Sequence, residues 1–270
     1  MNTNEKHTHT ALPNDGSSQR THYKSGGFGR KVMVMGALVT AGILGAAPAA
    51  HAQMFSTCDR WGQYTQGAWT IYNNVWGTHK PGTQCLYVNS INSWWVNSKQ
   101  DRGGVKSYPN TSVTPNTPLA QMQSATMTYN TSSPVSTSGY WWNWTSDIWS
   151  LNGADEVMIF TSWYPAGPGG WGTKIRSNVT IGGTLYAEVW QAAPGWNVLQ
   201  FKPATQSNSG TINALAVWQW AASQGLLTNT HFNQMQFGVE ITSTNNTWQI
   251  FSMDSFTASW SNTSGGGSGI

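Results

Sequence analysis

Short segments in which apolar and polar residues alternate dominate the chain after about residue 52. These segments are rich in aromatic and β-branched residues, and clusters of Gly, Pro, Asn and Ser separate them. A period of two places successive side chains on opposite faces of an extended strand, so the pattern predicts β-strands. The segments with this pattern are 69–76, 124–129, 140–148, 156–163, 178–181, 185–190, 197–201, 235–241 and 248–260.

One segment has the spacing of a helix instead. Apolar residues recur at intervals of three and four from Ile212 to Trp220. Ser209 or Thr211 is predicted to cap the start of this helix, and Gly225 to follow its end. Many antiparallel strands with a single helix predict an all-β fold, a two-sheet antiparallel sandwich.

The first 52 residues differ from the rest and predict an export signal. Basic residues precede an apolar stretch at 32–47, and the small residues Ala50 and Ala52 mark a cleavage site. Gly and Pro interrupt the apolar stretch, which argues against a membrane anchor. We therefore predict a signal peptide at 1–52, cleavage after Ala52 and secretion of the remainder.

The chain without this leader is electrically balanced. Residues 1–52 hold five of the 13 Lys and Arg residues and two of the 10 Asp and Glu residues, so eight of each sign remain. This balance gives no reason to expect a nucleic-acid or anionic-membrane partner. We predict one monomeric domain at 53–260, and a Gly/Ser-rich disordered tail at 261–270.

Two cysteines, Cys58 and Cys85, are predicted to form a disulfide, as an even cysteine count in an exported chain indicates. The bond would close a loop of about 27 residues and stabilise the fold by roughly 3 kcal/mol. The alternative is a metal site that uses both thiols. After the leader only His79 and His231 could complete it, so we expect no metal. No cofactor is expected either.

Carboxylates are scarce, and after residue 52 the glutamates are Glu156, Glu188 and Glu240. Alternation places Glu156 on one strand face with Met158 and Phe160. It places Glu240 on the polar face of its strand, opposite an apolar face at 235–241. The glycine two residues before Glu240 would leave room for a ligand. The alternative is that each glutamate is an ordinary solvent-exposed residue of a sheet, with no catalytic role.

Paired carboxyl groups are what the hydrolysis of a glycosidic bond requires. If Glu156 and Glu240 lay on neighbouring strands and on one face, they could approach the ~5 Å separation of a retaining enzyme. One of two such close groups stays protonated near neutral pH, and we assign this general acid to Glu240. We interpret Glu188 as a surface charge.

Tryptophans point to the same class of substrate. All 17 follow residue 52. In the adjacent pair Trp141-Trp142 one ring must face each side of the strand, so some rings line an exposed face. Trp142 and Trp163 are predicted to line a cleft, with Trp171 in a loop at its edge. Sugar rings stack on indoles, although core packing explains most individual tryptophans.

Several short motifs follow one another in order over about residues 58–260. They are Asn73-Asn74-Val75-Trp76-Gly77 followed by Cys85, Lys106-Ser107-Tyr108-Pro109, Asp147-Ile148-Trp149, Glu156-Val157-Met158-Ile159, Ile181-Gly182-Gly183 and Gly238-Val239-Glu240. In this order and spacing they resemble glycoside hydrolase family 12, a family of secreted endo-β-1,4-glucanases and xyloglucanases.

The resemblance implies a β-jelly-roll sandwich whose concave sheet forms an open cleft. It implies that Glu156 is the nucleophile, that Glu240 is the acid/base and that Asp147 orients or tunes the nucleophile.

The resemblance also implies residues that bind substrate. Trp76, with Asn73 or Asn74, would line the subsites for glucosyl units on the non-reducing side. Met158 would lie under the sugar near the nucleophile.

These observations lead to one main functional hypothesis, a secreted retaining endo-β-1,4-glucanase acting on soluble or amorphous β-glucan. One alternative is a xyloglucan-specific hydrolase of the same fold. The other is a non-catalytic carbohydrate-binding sandwich, which would need tryptophans but no pair of carboxylates.

Overall fold

A computed structural model describes residues 53–77, 83–135, 138–165 and 171–265. The predicted signal peptide at 1–52 lies outside the described residues. The strands are β1 (Phe55–Thr57), β2 (Gln63–Gln66), β3 (Trp69–Tyr72), β4 (Gln84–Ser90), β5 (Ser93–Ser98), β6 (Asn110–Val113), β7 (Thr117–Pro118), β8 (Met122–Ser132), β9 (Tyr140–Ser150), β10 (Asp155–Tyr164), β11 (Thr173–Ile181), β12 (Thr184–Ala192), β13 (Asn197–Pro203), β14 (Ser209–Asn213), β15 (His231–Thr244) and β16 (Gln249–Asn262).

The strands form two sheets, as a sandwich requires. The six-stranded sheet has the order β1-β4-β5-β16-β8-β14. The ten-stranded sheet has the order β11-β12-β13-β10-β9-β15-β6-β3-β2, and β7 pairs with β15. Pairing between the described strands is antiparallel except between β10 and β13, which run parallel. The all-β sandwich prediction is therefore confirmed.

The main core lies between the sheets and follows the predicted alternation. In β15 the apolar face predicted at 235–241 is buried in this core, as are Val157 and Ile159 of β10. Met158 and Phe160 belong to a separate small cluster on the opposite face of β10. Full burial of such a side chain contributes roughly 1.5–3 kcal/mol, so the face of each strand is strongly specified.

The predicted helix exists as α1 (Ala214–Ser223) and packs against β8 and β11. Both predicted caps, Ser209 and Thr211, were wrong, because pairing with β8 holds them extended in β14. The cap is Asn213, whose side chain accepts a hydrogen bond of 3.1 Å from a backbone N–H of the first turn. Gly225 follows the end with φ of +68°, as predicted.

Two further predictions concern the start and the end of the domain. Cys58 and Cys85 form the predicted disulfide. The last strand, β16, continues to Asn262, two residues into the segment predicted as a tail. In the part of the chain that is described, no helix has the length and apolar character needed to cross a membrane.

Candidate active site

A cavity of about 400 Å³ lies on the concave face of the ten-stranded sheet, the face turned away from the main core. Three carboxyl groups line it, those of Asp147, Glu156 and Glu240. Aromatic and amide side chains complete the lining, and these include Trp76, Trp149, Trp171, Trp196, Gln234 and Gln236. Among the described residues, the lining contains no Lys, Arg or His.

Glu156 is on β10 and is 8% exposed. The indole Nε1 of Trp196 donates a hydrogen bond of 2.8 Å to its Oε2. The pKa of Glu156 is raised to about 7. Burial is the largest cause, and the charge of Glu240 also raises the pKa, whereas hydrogen bonds from Trp196 and Asp147 lower it. Glu156 therefore changes its charge near neutral pH, which a solvated sheet residue would not do.

Glu240 is on β15 and faces Asn143 of β9 across the sheet. The Asn143 side-chain amide donates a hydrogen bond of 2.9 Å to Oε2 of Glu240. Burial raises the pKa of Glu240, and the hydrogen bond from Asn143 lowers it in part. A raised pKa is what a general acid needs to hold its proton near neutral pH.

The two glutamates are not on neighbouring strands, which corrects the sequence-based expectation. Strand β9 lies between β10 and β15 and brings Asp147 into the space between them. Register pairs Asp147 with Met158 on one side and with Gln236 on the other. The carboxyl groups meet because all three side chains point to the same concave face.

Asp147 is almost fully buried beside the two glutamates. Burial and the charges of Glu156 and Glu240 raise its pKa well above the usual range, against a hydrogen bond of 3.3 Å from the Thr145 hydroxyl. Tyr108 also lines the cavity, and burial and the same carboxylates raise its pKa well above the usual range. These like charges in a desolvated space cannot all ionise together, so protons are shared within the cluster near neutral pH.

The room for a ligand predicted at Gly238, beside Glu240, is occupied by protein. A Cβ at Gly238 would collide with the backbone carbonyl of Pro109 and with the Asn110 side chain. The glycine thus allows close approach of the chain segment that leads into β6, and Val239 N–H donates to that same carbonyl at 3.1 Å.

Three predicted substrate-binding residues line the cavity: Asn74, Trp76 and Met158. Trp76 is 42% exposed, so its ring is available to a sugar. Asn73 does not line the cavity. It is fully buried, and its side chain bonds to Asp59 O at 2.7 Å and accepts from Gln84 at 3.0 Å.

Two predicted cleft tryptophans lie elsewhere. Trp142 is 5% exposed and packs edge-on against Phe251 in the main core, because even-numbered positions of β9 face the other sheet. Its neighbour Trp141 takes the exposed side instead. Trp163 packs beside the small cluster around Met158, outside the cavity lining, and Lys202 Nζ lies 5.5 Å from its ring.

Several lining or supporting residues escaped the sequence analysis as site residues: Trp196, Asn143, Gln234 and Gln236. The two glutamines share the strand period of Glu240, so alternation along β15 could have indicated them. Asn143 and Trp196 carried no such signal, because their roles depend on cross-strand register and on a turn.

Glu188 behaves as predicted, as a surface charge outside the cavity. Lys174 Nζ lies 2.8 Å from one of its oxygens and Lys202 Nζ 3.8 Å from the other. Hydrogen bonds from Lys174 and from Trp190 lower its pKa. Within the described ranges no group of His, Cys, Asp and Glu could hold a metal ion.

An open, tryptophan-lined trough with buried carboxyl groups on the concave sheet of a β-sandwich defines the class of protein. The class is that of the glycoside hydrolases, which use paired carboxyl groups to cleave a sugar chain. Comparison with known proteins supports this class and narrows it.

Relatives by sequence are fungal enzymes. A protein of Aspergillus terreus carrying the name "Probable xyloglucan-specific endo-beta-1,4-glucanase A" is 27% identical over 202 residues, which cover 68% of this chain and 79% of that protein. A Neosartorya fischeri protein of the same name is 36% identical over 78 residues, 26% of this chain and 32% of its own length. A scan against protein-family models finds no match.

Similar solved structures cover nearly the whole described domain. The xyloglucanase domain of NopAA, a type three effector from Sinorhizobium fredii in complex with cellobiose, is 26% identical with a TM-score of 0.69, covering 77% of this chain and 99% of that one. An endoglucanase from Rhodothermus marinus shares the fold at 22% identity and a TM-score of 0.67, over 77% and 99% of the two chains. In sequence and fold the chain is similar to the endoglucanases and xyloglucanases of glycoside hydrolase family 12.

Proposed function

We propose that the protein is a secreted, monomeric retaining endo-β-1,4-glucanase that cleaves internal bonds of soluble or amorphous β-glucan. The observation that carries this proposal is the cavity that holds Glu156, Asp147 and Glu240 together. A non-catalytic carbohydrate binder would gain nothing from three buried carboxyl groups, because each raises the cost of folding at neutral pH.

In the first step Glu156, as the carboxylate, attacks the anomeric carbon of the bound glucosyl unit. The bond from that carbon to the leaving oxygen breaks, and Glu240 gives its proton to this oxygen. The products are a glycosyl ester of Glu156 and a shortened glucan with a free hydroxyl. The raised pKa of Glu240 supports its role as the proton donor.

In the second step Glu240, now a carboxylate, takes a proton from water, and this water attacks the anomeric carbon from the opposite side. The ester bond breaks and Glu156 leaves as a carboxylate. Two inversions retain the β-configuration. Asp147 lies next to the nucleophile, with its raised pKa, and as a protonated neighbour it donates a hydrogen bond to Glu156.

A second candidate is hydrolysis of xyloglucan by the same site. The names of the fungal relatives and of the Sinorhizobium domain favour it. Trp76 and Trp171 line the cavity and are exposed, so their rings are available to a branched glucan as well as to a linear one.

Reducing-sugar release from carboxymethylcellulose, mixed-linkage β-glucan and xyloglucan tests these proposals. We expect activity on at least the unbranched polymers for the wild type and none for Glu156→Gln. Glu188→Gln is the matched control and should retain activity. Release from xyloglucan alone would favour the second candidate. Binding of the polymers without any release of reducing sugar would contradict the proposal that the protein is an enzyme.

The predicted cleavage after Ala52 is tested by the N-terminal sequence of the secreted protein.

A further inference from the structure

Trp196 occupies a particular position at the rim of the cavity. It ends the turn at 193–196 that joins β12 to β13, where Gly195 has φ of +138°. Trp196 is 40% exposed, and its ring centroid lies 6.3 Å from that of Trp149, which also lines the cavity. This packing fixes the ring on one side and leaves the rest of it open to the cavity.

The indole N–H of Trp196 points at Glu156 and bonds to Oε2 at 2.8 Å. The ionisable groups that face Glu156 from the neighbouring elements are Asp147, Glu240 and Tyr108, and these are all acids. The described residues of the lining include no cation, so among them hydrogen-bond donors stabilise a negative charge on Glu156.

An indole differs from the other donors in this cluster. It donates only, and it does not titrate in the range where carboxyl groups do. A donor-only partner always favours the ionised form of its acceptor. Asp147, in contrast, donates only while it keeps its own proton. The bond from Trp196 is therefore the part of the Glu156 environment that does not depend on pH.

We propose that Trp196 is a positioning residue that holds the Glu156 carboxylate ionised and oriented for attack. The proposal rests on the proposed function, in which Glu156 is the nucleophile. Loss of the indole N–H should raise the pKa of Glu156, so a smaller fraction would be ionised at a given acidic pH. The acidic limb of the rate profile should then move to higher pH.

The test measures the first chemical step with a substrate that does not need a proton from Glu240. The probe is 2,4-dinitrophenyl 2-deoxy-2-fluoro-β-cellobioside, whose acidic leaving group departs without a proton and whose fluorine slows release of the trapped ester. The second-order rate of inactivation is measured from about pH 4 to pH 9 for the wild type and the variants. Peptide mapping identifies the labelled residue.

Three variants distinguish the effect of the Trp196 hydrogen bond from the effect of its aromatic ring. Trp196→Phe keeps an aromatic ring and removes the donor. Trp196→Gln removes the ring but keeps a donor three bonds from Cβ, as in the indole. Trp171→Phe is the matched control, because Trp171 also lines the cavity and is exposed. Within the described residues, its indole makes no hydrogen bond to a carboxyl group.

We expect the acidic limb to move up by about one pH unit in Trp196→Phe, the size of a charge-assisted hydrogen bond in a partly exposed site. It should stay near the wild-type position in Trp196→Gln and in Trp171→Phe. The inference would be overturned if Trp196→Phe lost the same fraction of the inactivation rate at every pH, or if Trp196→Gln showed the same shift of the acidic limb. In either case, label on Glu156 would leave the proposed function intact. Label on another residue in the wild type would overturn both.

Discussion

Glu156 and Glu240 have similar sequence settings but different surroundings in the fold. Both lie on the concave sheet, on strands that flank β9, and burial raises the pKa of each. Glu156 receives its hydrogen bond from an indole carried by a turn at the rim. Glu240 receives its bond from Asn143 on the adjacent strand. Each carboxyl group is thus tuned by its own donor.

In the proposed mechanism, this difference explains how a chain with few charges gives two roles to two identical side chains. Glu188 provides the contrast, since it has lysines as partners and its pKa is lowered. Glu156 and Glu240 have no cation near them in the part of the cavity lining that the structure describes. The role of a glutamate therefore follows from burial and from the type of donor more than from its place in a strand.

The largest expected effect separates the two glutamates by the leaving group. Glu156→Ala removes the nucleophile, so hydrolysis should fall by about four orders of magnitude or more on every substrate. Glu240→Ala should lose about 10²- to 10⁴-fold on natural glucans. It should still release a burst of dinitrophenol from an aryl cellobioside, whose phenol leaves unprotonated. Stopped-flow absorbance measures the burst, and a burst from Glu156→Ala would reverse the assignment.

The second effect is on stability. The pKa of Glu156 is higher in the folded state than its usual 4.5, so folding loses stability as pH rises from about 4.5 to about 7. Glu156→Gln should therefore stabilise the protein by about 3 kcal/mol above pH 7 and by little at pH 4. Urea unfolding at both pH values measures this difference.

Glu188→Gln is the matched control for this stability effect. The pKa of Glu188 is lowered, so its stabilising contribution is present at neutral pH and is lost as pH falls. Its replacement should destabilise slightly at neutral pH, the opposite sign. A gain of equal size in both variants would mean that general charge reduction is responsible.

The smallest effect tests the donor to Glu240. Asn143→Ala removes the hydrogen bond that lowers the pKa of Glu240, so the acid should keep its proton to higher pH. The alkaline limb of kcat/KM should move up by less than about one pH unit, with the acidic limb in place. A limb that moves down, or an acidic limb that moves, would remove Asn143 as the partner of the acid.

The sequence predicted much of the sandwich because strand faces follow from a period of two. The apolar face of β15 and the opposite placements of Met158 and Ile159 on β10 are confirmed. Strands such as β4 and β6 escaped prediction, because their Gln, Asn and Ser residues have buried polar partners that only the folded chain supplies. Gln84, for example, bonds to Asn73 and Ser107.

Local pattern could not reveal which strands are neighbours. Glu156 and Glu240 were placed on the correct face, but the intervening strand with Asp147 depends on sheet order. Trp142 was assigned to the cleft because its pair with Trp141 leaves open which ring faces the core. Trp196 carries no periodic signal at all, since it lies in a turn whose position depends on how β12 and β13 pair.

The central claim is that Glu156 attacks and Glu240 supplies and removes the proton, and azide rescue tests it most directly. Azide needs no base, so with an aryl cellobioside it should restore turnover of Glu240→Ala. It should form a β-glycosyl azide, because Glu156 still completes the first inversion. Proton NMR identifies the anomer. Rescue of Glu156→Ala with an α-glycosyl azide, while Glu240→Ala stays inactive on every substrate, would contradict the account.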